Sequence, residues 1–138
     1  MSDIMSAIGI SQFHRLDEFS SKRQKLAERY GVKLKSSGRI IPLISDFKNI
    51  VPHIYVIKIK GCINRALLRK NILARGVETG IHYTPNHLLD YFRHDVKLDL
   101  PVTDLHFPTI LSLPLHPDLS FDDVDRVCHI LISELKKL

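Results

Sequence analysis

The 138 residues predict a small α/β domain of α+β character: a mainly antiparallel sheet of about three strands, helices packed on one face, and one long helix leading in. Three observations predict it. Residues 54–60 alternate, with Tyr55, Ile57 and Ile59 on one side and Lys58 and Lys60 on the other, as a strand with one buried face requires. Ile110–Leu113 is a short apolar run closed by Pro114. Elsewhere apolar residues recur at helical spacing, most clearly after Ser120.

In chain order, Ser2 and Asp3 offer a helix start, and Ile4, Ile8, Phe13, Leu16, Phe19, Leu26 and Tyr30 continue one helix over residues 1–30 until Gly31 stops it. About 27 residues span roughly 40 Å, more than the width of the domain that the rest can build, so part of this helix overhangs. Ser6, Ala7, Gly9 and Ser11 in its first turns allow another backbone to come close, which predicts a packing partner. A frayed end or a symmetry mate are the alternatives. Residues 31–53 read as a connector rich in turn formers (Ser36, Ser37, Gly38, Pro42, Pro52), in which 40–44 can pair as an edge strand.

The small domain proper occupies 54–138. After its first strand, Asn64 caps a helix over 65–75 that turns Ala66, Leu68, Ile72 and Leu73 inward and Arg69 and Lys70 to water, with Gly76 closing it. Residues 77–83 are the second predicted strand, 87–92 a short helical segment, and another helix starts at Thr103 and is ended or bent by Pro108. The third strand is Ile110–Leu113. The last helix has a capping box in Ser120 and Asp123 and an apolar stripe of Val124, Val127, Cys128, Leu131, Ile132, Leu135 and Leu138, with Lys136 and Lys137 suited to its C-terminal dipole.

With 44% hydrophobic and 25% charged residues, the composition is that of a globular domain rather than a disordered tail. Cys62 and Cys128 each sit in an apolar segment and read as buried hydrophobes, which predicts a reducing, cytoplasmic setting. No cationic leader opens the chain and no apolar run approaches the roughly 20 residues of a membrane span, so neither export nor a membrane partner is expected. The net charge of +5 permits a nucleic-acid partner, but the cationic stretch Lys22, Arg23, Lys25 and Arg29 has no interleaved stacking aromatics, and none is expected.

Eight histidines raise the question of a metal, with His82, His87 and His116 the best placed. His82 and His87 are five apart across Pro85, not at ligand spacing, and no carboxylate cluster accompanies them; no metal is predicted. A glycine-rich phosphate cradle, a GxSxG elbow and an HExxH motif are all missing, which disfavours an independent hydrolase or kinase. Residues 80–87, Gly-Ile-His-Tyr-Thr-Pro-Asn-His, instead gather hydrogen-bonding side chains where a strand gives way to a loop, the place where binding residues concentrate.

Three segments together resemble one family. Residues 1–9, MSDIMSAIG, with Gln12, Arg15, Leu16 and Asp17 in register, are similar to the MSDIxAAIGxxQLxRLD helix of the DegT/DnrJ/StrS-type pyridoxal-phosphate-dependent sugar aminotransferases. Residues 74–83, ARGVETGIHY, with Pro85, His87 and Leu88, resemble their ARGIxTGxHYxPxHLQ segment. Residues 111–117, LSLPLHP, followed by Asp122, Asp123, Val124 and Asp125, resemble LSLPLHPxLSxxEVD. Leu89 and Asp90 depart from the family's Gln-Pro. The resemblance covers essentially the whole chain. It implies the C-terminal small domain of a fold type I enzyme, normally a homodimer, that moves an amino group from glutamate or glutamine to a keto sugar, usually nucleotide-linked. Residues 1–30 become the inter-domain helix.

In that family the large domain supplies the Schiff-base lysine, the carboxylate facing the pyridine nitrogen and most of the phosphate cup, all ahead of the MSDI helix. The resemblance therefore implies no catalytic residue and no bound pyridoxal phosphate in this chain alone, which is not expected to transaminate by itself. It carries His82, Tyr83 and His87 over as substrate contacts in a complete enzyme. The implied partner is the large domain or a full-length relative, or a second copy through the N-terminal helix. A non-catalytic dimerisation or regulatory module is the competing reading.

Overall fold

The strand with the clearest alternation is the middle of the sheet: β2 (Tyr55–Ile59) buries Tyr55, Ile57 and Ile59 and leaves Val56 and Lys58 half-buried. The protein is seen here as a computed structural model that describes residues 2–44, 46–47, 49–61, 64–92 and 99–138. β2 pairs antiparallel with β1 (Ile40–Pro42) through Ile41↔Lys58 and with β3 (Ile110–Leu113) through Ile57↔Leu111, in the order β1-β2-β3. The inward side chains of β2 share one core with Leu26, Tyr30 and Leu34 of α2 (Leu16–Leu34), Leu68 and Ile72 of α3 (Arg65–Ala74), and Val124, Val127 and Leu131 of α5 (Phe121–Leu135).

The fold class is as predicted, but one strand is not. Residues 77–83 make a single antiparallel bridge, Gly80 to Ser112, closed by two backbone hydrogen bonds of 2.9 Å, and the third place in the sheet goes to β1 instead. Val77 and Thr79 are buried as a strand face would be, yet the alternation ends at Gly80, which has no side chain to pack. The chain folds back there, so that a Cβ at Gly80 would overlap the His82 ring.

The predicted single helix over 1–30 is two helices. α1 (Asp3–Phe13) ends at His14, Arg15 closes a tighter turn onto Gln12, and α2 restarts with Phe19 bonded to Arg15. Nor does Gly31 stop α2, which runs on to Leu34. Glycine inside a helix costs about 1 kcal/mol against alanine, whereas full burial of Leu34, one turn beyond Tyr30, returns roughly 1.5–3 kcal/mol. The helix therefore continues, through a 3₁₀ turn at Lys35–Ser37, to Gly38 at φ +63°.

α3 is capped by the Asn64 side chain on the Leu67 amide and ends in a Schellman pattern, with Gly76 at φ +78° and the Val77 amide on the Ile72 carbonyl. Only Leu68 and Ile72 of its predicted inward set are buried; Ala66 and Leu73 are exposed. Arg69 does not simply face water, because its Nη2 donates to the Thr79 carbonyl at 2.8 Å. The 87–92 segment consists of two 3₁₀ turns, Asn86–Leu88 and Asp90–Phe92. α4 (Pro101–His106) starts before Thr103 because Pro101 suits a first helical turn, and it tightens to 3₁₀ at Phe107–Thr109 around Pro108.

α5 has both hydrogen bonds of its capping box. Its buried stripe omits Ile132, which is half-buried, and Leu138, which is exposed, but adds Ile130 and Glu134. Glu134 is tolerable there because Lys137 (2.6 Å) and, to a lesser degree, Arg75 (3.1 Å) pair with it and hold its carboxyl below the usual range against the effect of burial. Cys128 is a buried hydrophobe as predicted, and burial pushes its thiol up to about 12. Cys62 lies outside the described residues.

Candidate functional site

Where β3 ends, three pieces of chain converge. Tyr30 fixes the exit by donating to the Pro114 carbonyl at 2.9 Å. The backbone bridge at Gly80 and Ser112 draws residues 76–82 alongside β3, and the capping box aims the first turns of α5 at the same place. Between them lies an open groove of about 590 Å³, with Val77, Leu113, Leu115 and Val127 as apolar walls and His53, His82, His116, Asp123 and Arg126 as polar ones.

Two of the three histidines singled out from the sequence, His82 and His116, thus line one groove. His87 does not: its Nε2 is 2.8 Å from the Asp104 carboxylate of α4, and its side chain is 9% exposed against 51% for Asp104. That pairing ties the 86–92 turns to α4. Tyr83 is 78% exposed, its ring edge-on to that of His82 at 5.0 Å, and the peptide joining them is cis. The His82 Nδ1 is buried and has no hydrogen-bond partner among the described residues, an unusual state for a buried polar atom and one that a binding residue can show.

His53 and Arg126 were missed in the sequence. His53 stands in what reads as a connector, and only the pairing Tyr55↔Leu113, extended two residues, brings position 53 opposite position 115. Arg126 lies on the polar side of α5, donating to the Arg75 carbonyl at 2.7 Å. Among the described residues no group of three or more His, Cys, Asp or Glu is placed to hold a metal ion.

The family model for DegT/DnrJ/EryC1/StrS aminotransferases matches residues 1–132. The chain belongs to that family. It is 30% identical over 135 residues to the spore coat polysaccharide biosynthesis protein SpsC of Bacillus subtilis (strain 168), covering 92% of this chain and 35% of that one. Among solved structures, it matches PseC of Helicobacter pylori, an aminotransferase involved in the biosynthesis of pseudoaminic acid, with a TM-score of 0.92 at 22% identity over 100% of this chain and 38% of that one. Spr1654 of Streptococcus pneumoniae, assigned as a sugar aminotransferase and solved with pyridoxal phosphate, matches with a TM-score of 0.91 at 26% identity over 99% of this chain and 36% of that one. The chain thus spans little more than a third of the length of these relatives.

The family's cofactor, pyridoxal phosphate, needs a lysine for imine formation, shielded and free of ion pairs, with an acid for the ring nitrogen. The described residues do not offer that set. No lysine lines the groove. Lys22, Lys33 and Lys137 are paired with Glu18, Asp125 and Glu134, and Lys25, Lys35, Lys60, Lys70 and Lys136 are exposed. Lys58 is half-buried on the sheet face opposite the core, beside Lys60 and without an acid at hand.

Proposed function

We propose that these 138 residues form the C-terminal small domain of a sugar aminotransferase that transfers an amino group from glutamate or glutamine to a nucleotide-linked keto sugar. The observation that carries this reading is the asymmetry of coverage: the whole chain superposes on about 36–38% of complete aminotransferases. The imine-forming lysine and the acid at the pyridine nitrogen then come from polypeptide outside the described residues, and pyridoxal phosphate is held there. His82, in the wall of the groove, and the exposed Tyr83 beside it contact the sugar or its diphosphate, while His87 acts through Asp104 to hold the loop that presents them.

α1 is the surface for the missing part. None of its residues is buried, and Ile4, Met5, Ile8, Ile10 and Phe13 are exposed on all sides, so no single face of it is built for water. A helix of that kind is enclosed in the assembled enzyme by the large domain or by a second copy. A cytoplasmic setting agrees with the sugar-nucleotide chemistry and with the buried thiol of Cys128.

The test is a chimera in which this chain replaces the matching third of the SpsC relative. Bound cofactor together with glutamate-dependent amination of a keto sugar nucleotide is the expected result, reduced by roughly 10²-fold or more in kcat/KM by His82→Ala if that residue positions substrate. A chimera that folds and binds the cofactor but never turns over would favour the second reading, a non-catalytic dimerisation or regulatory module, which the bare apolar α1 also suits.

A further inference from the structure

α3 carries two arginines that pair with no carboxylate among the described residues; the Arg65 guanidinium lies over the Phe107 ring, 4.5 Å from its centroid. Arg65 and Arg69 are one turn apart on the same face, where like charges repel. Both are half-buried, and neither forms an ion pair among the described residues. Burial first, and the Arg69 charge second, press the Arg65 guanidinium toward its neutral form. Glu78 lines a neighbouring depression with Ala66, Arg69 and Lys70 but makes no ion pair with Arg69.

Each guanidinium has five N–H donors, and most are idle. Arg65 uses Nη1, which donates to the Phe107 carbonyl and, at 3.0 Å, to that of Ile110. Arg69 uses Nη2, on the Thr79 carbonyl, and its Nε is buried with no partner. The backbone contacts fix both planes. Both side chains line one groove of about 450 Å³, together with Asn64, Ala66, Ile81 and Pro108. Asn64 spends its carbonyl on the helix cap and keeps its amide donors. Ile81 leads directly into His82 and Tyr83.

Two fixed cations, idle planar donors, an orphaned buried N–H and no carboxylate define a receptor for a multiply charged oxyanion. A single carboxylate would leave one of the two charges uncompensated, whereas a diphosphate linked at both ends carries one negative charge on each phosphate and matches both. We propose that this groove binds a phosphate group and, resting on the aminotransferase reading for its source, that the group is the diphosphate of the nucleotide-linked sugar whose sugar end meets His82 and Tyr83.

The 138-residue chain is titrated with pyrophosphate while the Arg69 Nε–H resonance is followed, and uridine and thymidine diphosphates are added as competitors. Saturable one-to-one binding that shifts this resonance, weakens with added salt and is displaced by the nucleoside diphosphates is the expected result. Arg69→Gln weakens binding about tenfold by removing a charge-assisted contact. Because Arg69 also holds Thr79, a second variant leaves both arginines in place: Ala66→Glu sets a carboxylate in the groove, on an exposed first-turn position that tolerates an acid, and is expected to abolish binding without lowering the melting temperature.

Absence of a saturable shift, or full binding by Ala66→Glu, overturns the site. Binding of pyrophosphate and sulfate alike with no competition from nucleoside diphosphates overturns the assignment to the sugar nucleotide. The chimera separates the two ideas: turnover without oxyanion binding removes only this site, and oxyanion binding without turnover leaves the oxyanion site standing but removes the aminotransferase reading and, with it, the sugar nucleotide as the source of the diphosphate.

Discussion

The first helix and the last are both strongly apolar, and they behave in opposite ways. α5 buries Val124, Val127, Cys128, Ile130, Leu131, Glu134 and Leu135, whereas α1 buries nothing. The difference lies in arrangement rather than amount. In α5 the apolar residues form one stripe with charges opposite, so the helix can satisfy itself on a single sheet. In α1 they surround the axis, and no one-sided packing serves them. α2 lies between these extremes: its N-terminal half is mostly polar and buries no residue, and from Leu26 onward it joins the core.

This contrast can be broken in graded steps. Leu131→Ala, in the centre of the core, is expected to cost about 2–5 kcal/mol in denaturant unfolding of the chain, through lost burial and a residual cavity. A loss as small as that of a surface change would mean that α5 does not pack into the core through Leu131.

Next in size is the tie between α2 and α5, where the Asp125 carboxylate takes Arg29 through two bonds of 2.8 and 2.6 Å and Lys33 at 2.6 Å. Those hydrogen bonds pull its pKa from the ordinary 3.8 to about 2. A depressed acid stabilises the fold above its unfolded pKa and ceases to as pH falls through its folded one. The melting-temperature gap between the protein and Asp125→Asn should therefore be full at neutral pH and close between 3.8 and about 2. A gap that is flat across that window would show that the pair contributes nothing to docking α5.

Ser120→Ala removes the side chain that caps α5 and is expected to cost about 1 kcal/mol, read in the same unfolding assay. The smallest effect belongs to α1. Ile8→Ser should change the stability of the isolated chain by less than about 0.5 kcal/mol, since no core contact is lost. In the proposed chimera the same change should be costly. An equal and small effect in both settings would leave α1 without its proposed partner.

Much of this was legible in the residues. The strands at 55–59 and 110–113, the caps at Asn64 and Ser120, the stop at Gly76 and the edge strand near residue 40 each depend on a few neighbouring side chains, and each was found where local chemistry put it. The misreadings share a cause. Residues 77–83 have the composition of a strand, but whether they pair depends on Ser112, thirty residues on, and on the fold-back of His82 over Gly80. Gly31 looks like a stop until Leu34 is seen to be buried. Within the candidate site, the 80–87 cluster was conspicuous as a run of polar residues, while His53 and Arg126 carried no local mark.

Periodicity, capping chemistry and motif order were sufficient, without coordinates, to determine the class of the domain, the caps of α3 and α5, the family resemblance and the polar run around His82 and Tyr83. Tertiary structure alone decided which strand occupies the third place in the sheet, that His53 and His116 share a groove with His82 while His87 turns to Asp104, and that Arg65 and Arg69 face one cleft with donors to spare. The reason is physical: helix caps and amphipathic stripes arise from residues within a few positions of one another, whereas strand register and the convergence of side chains are set by contacts between distant segments once a common core has formed.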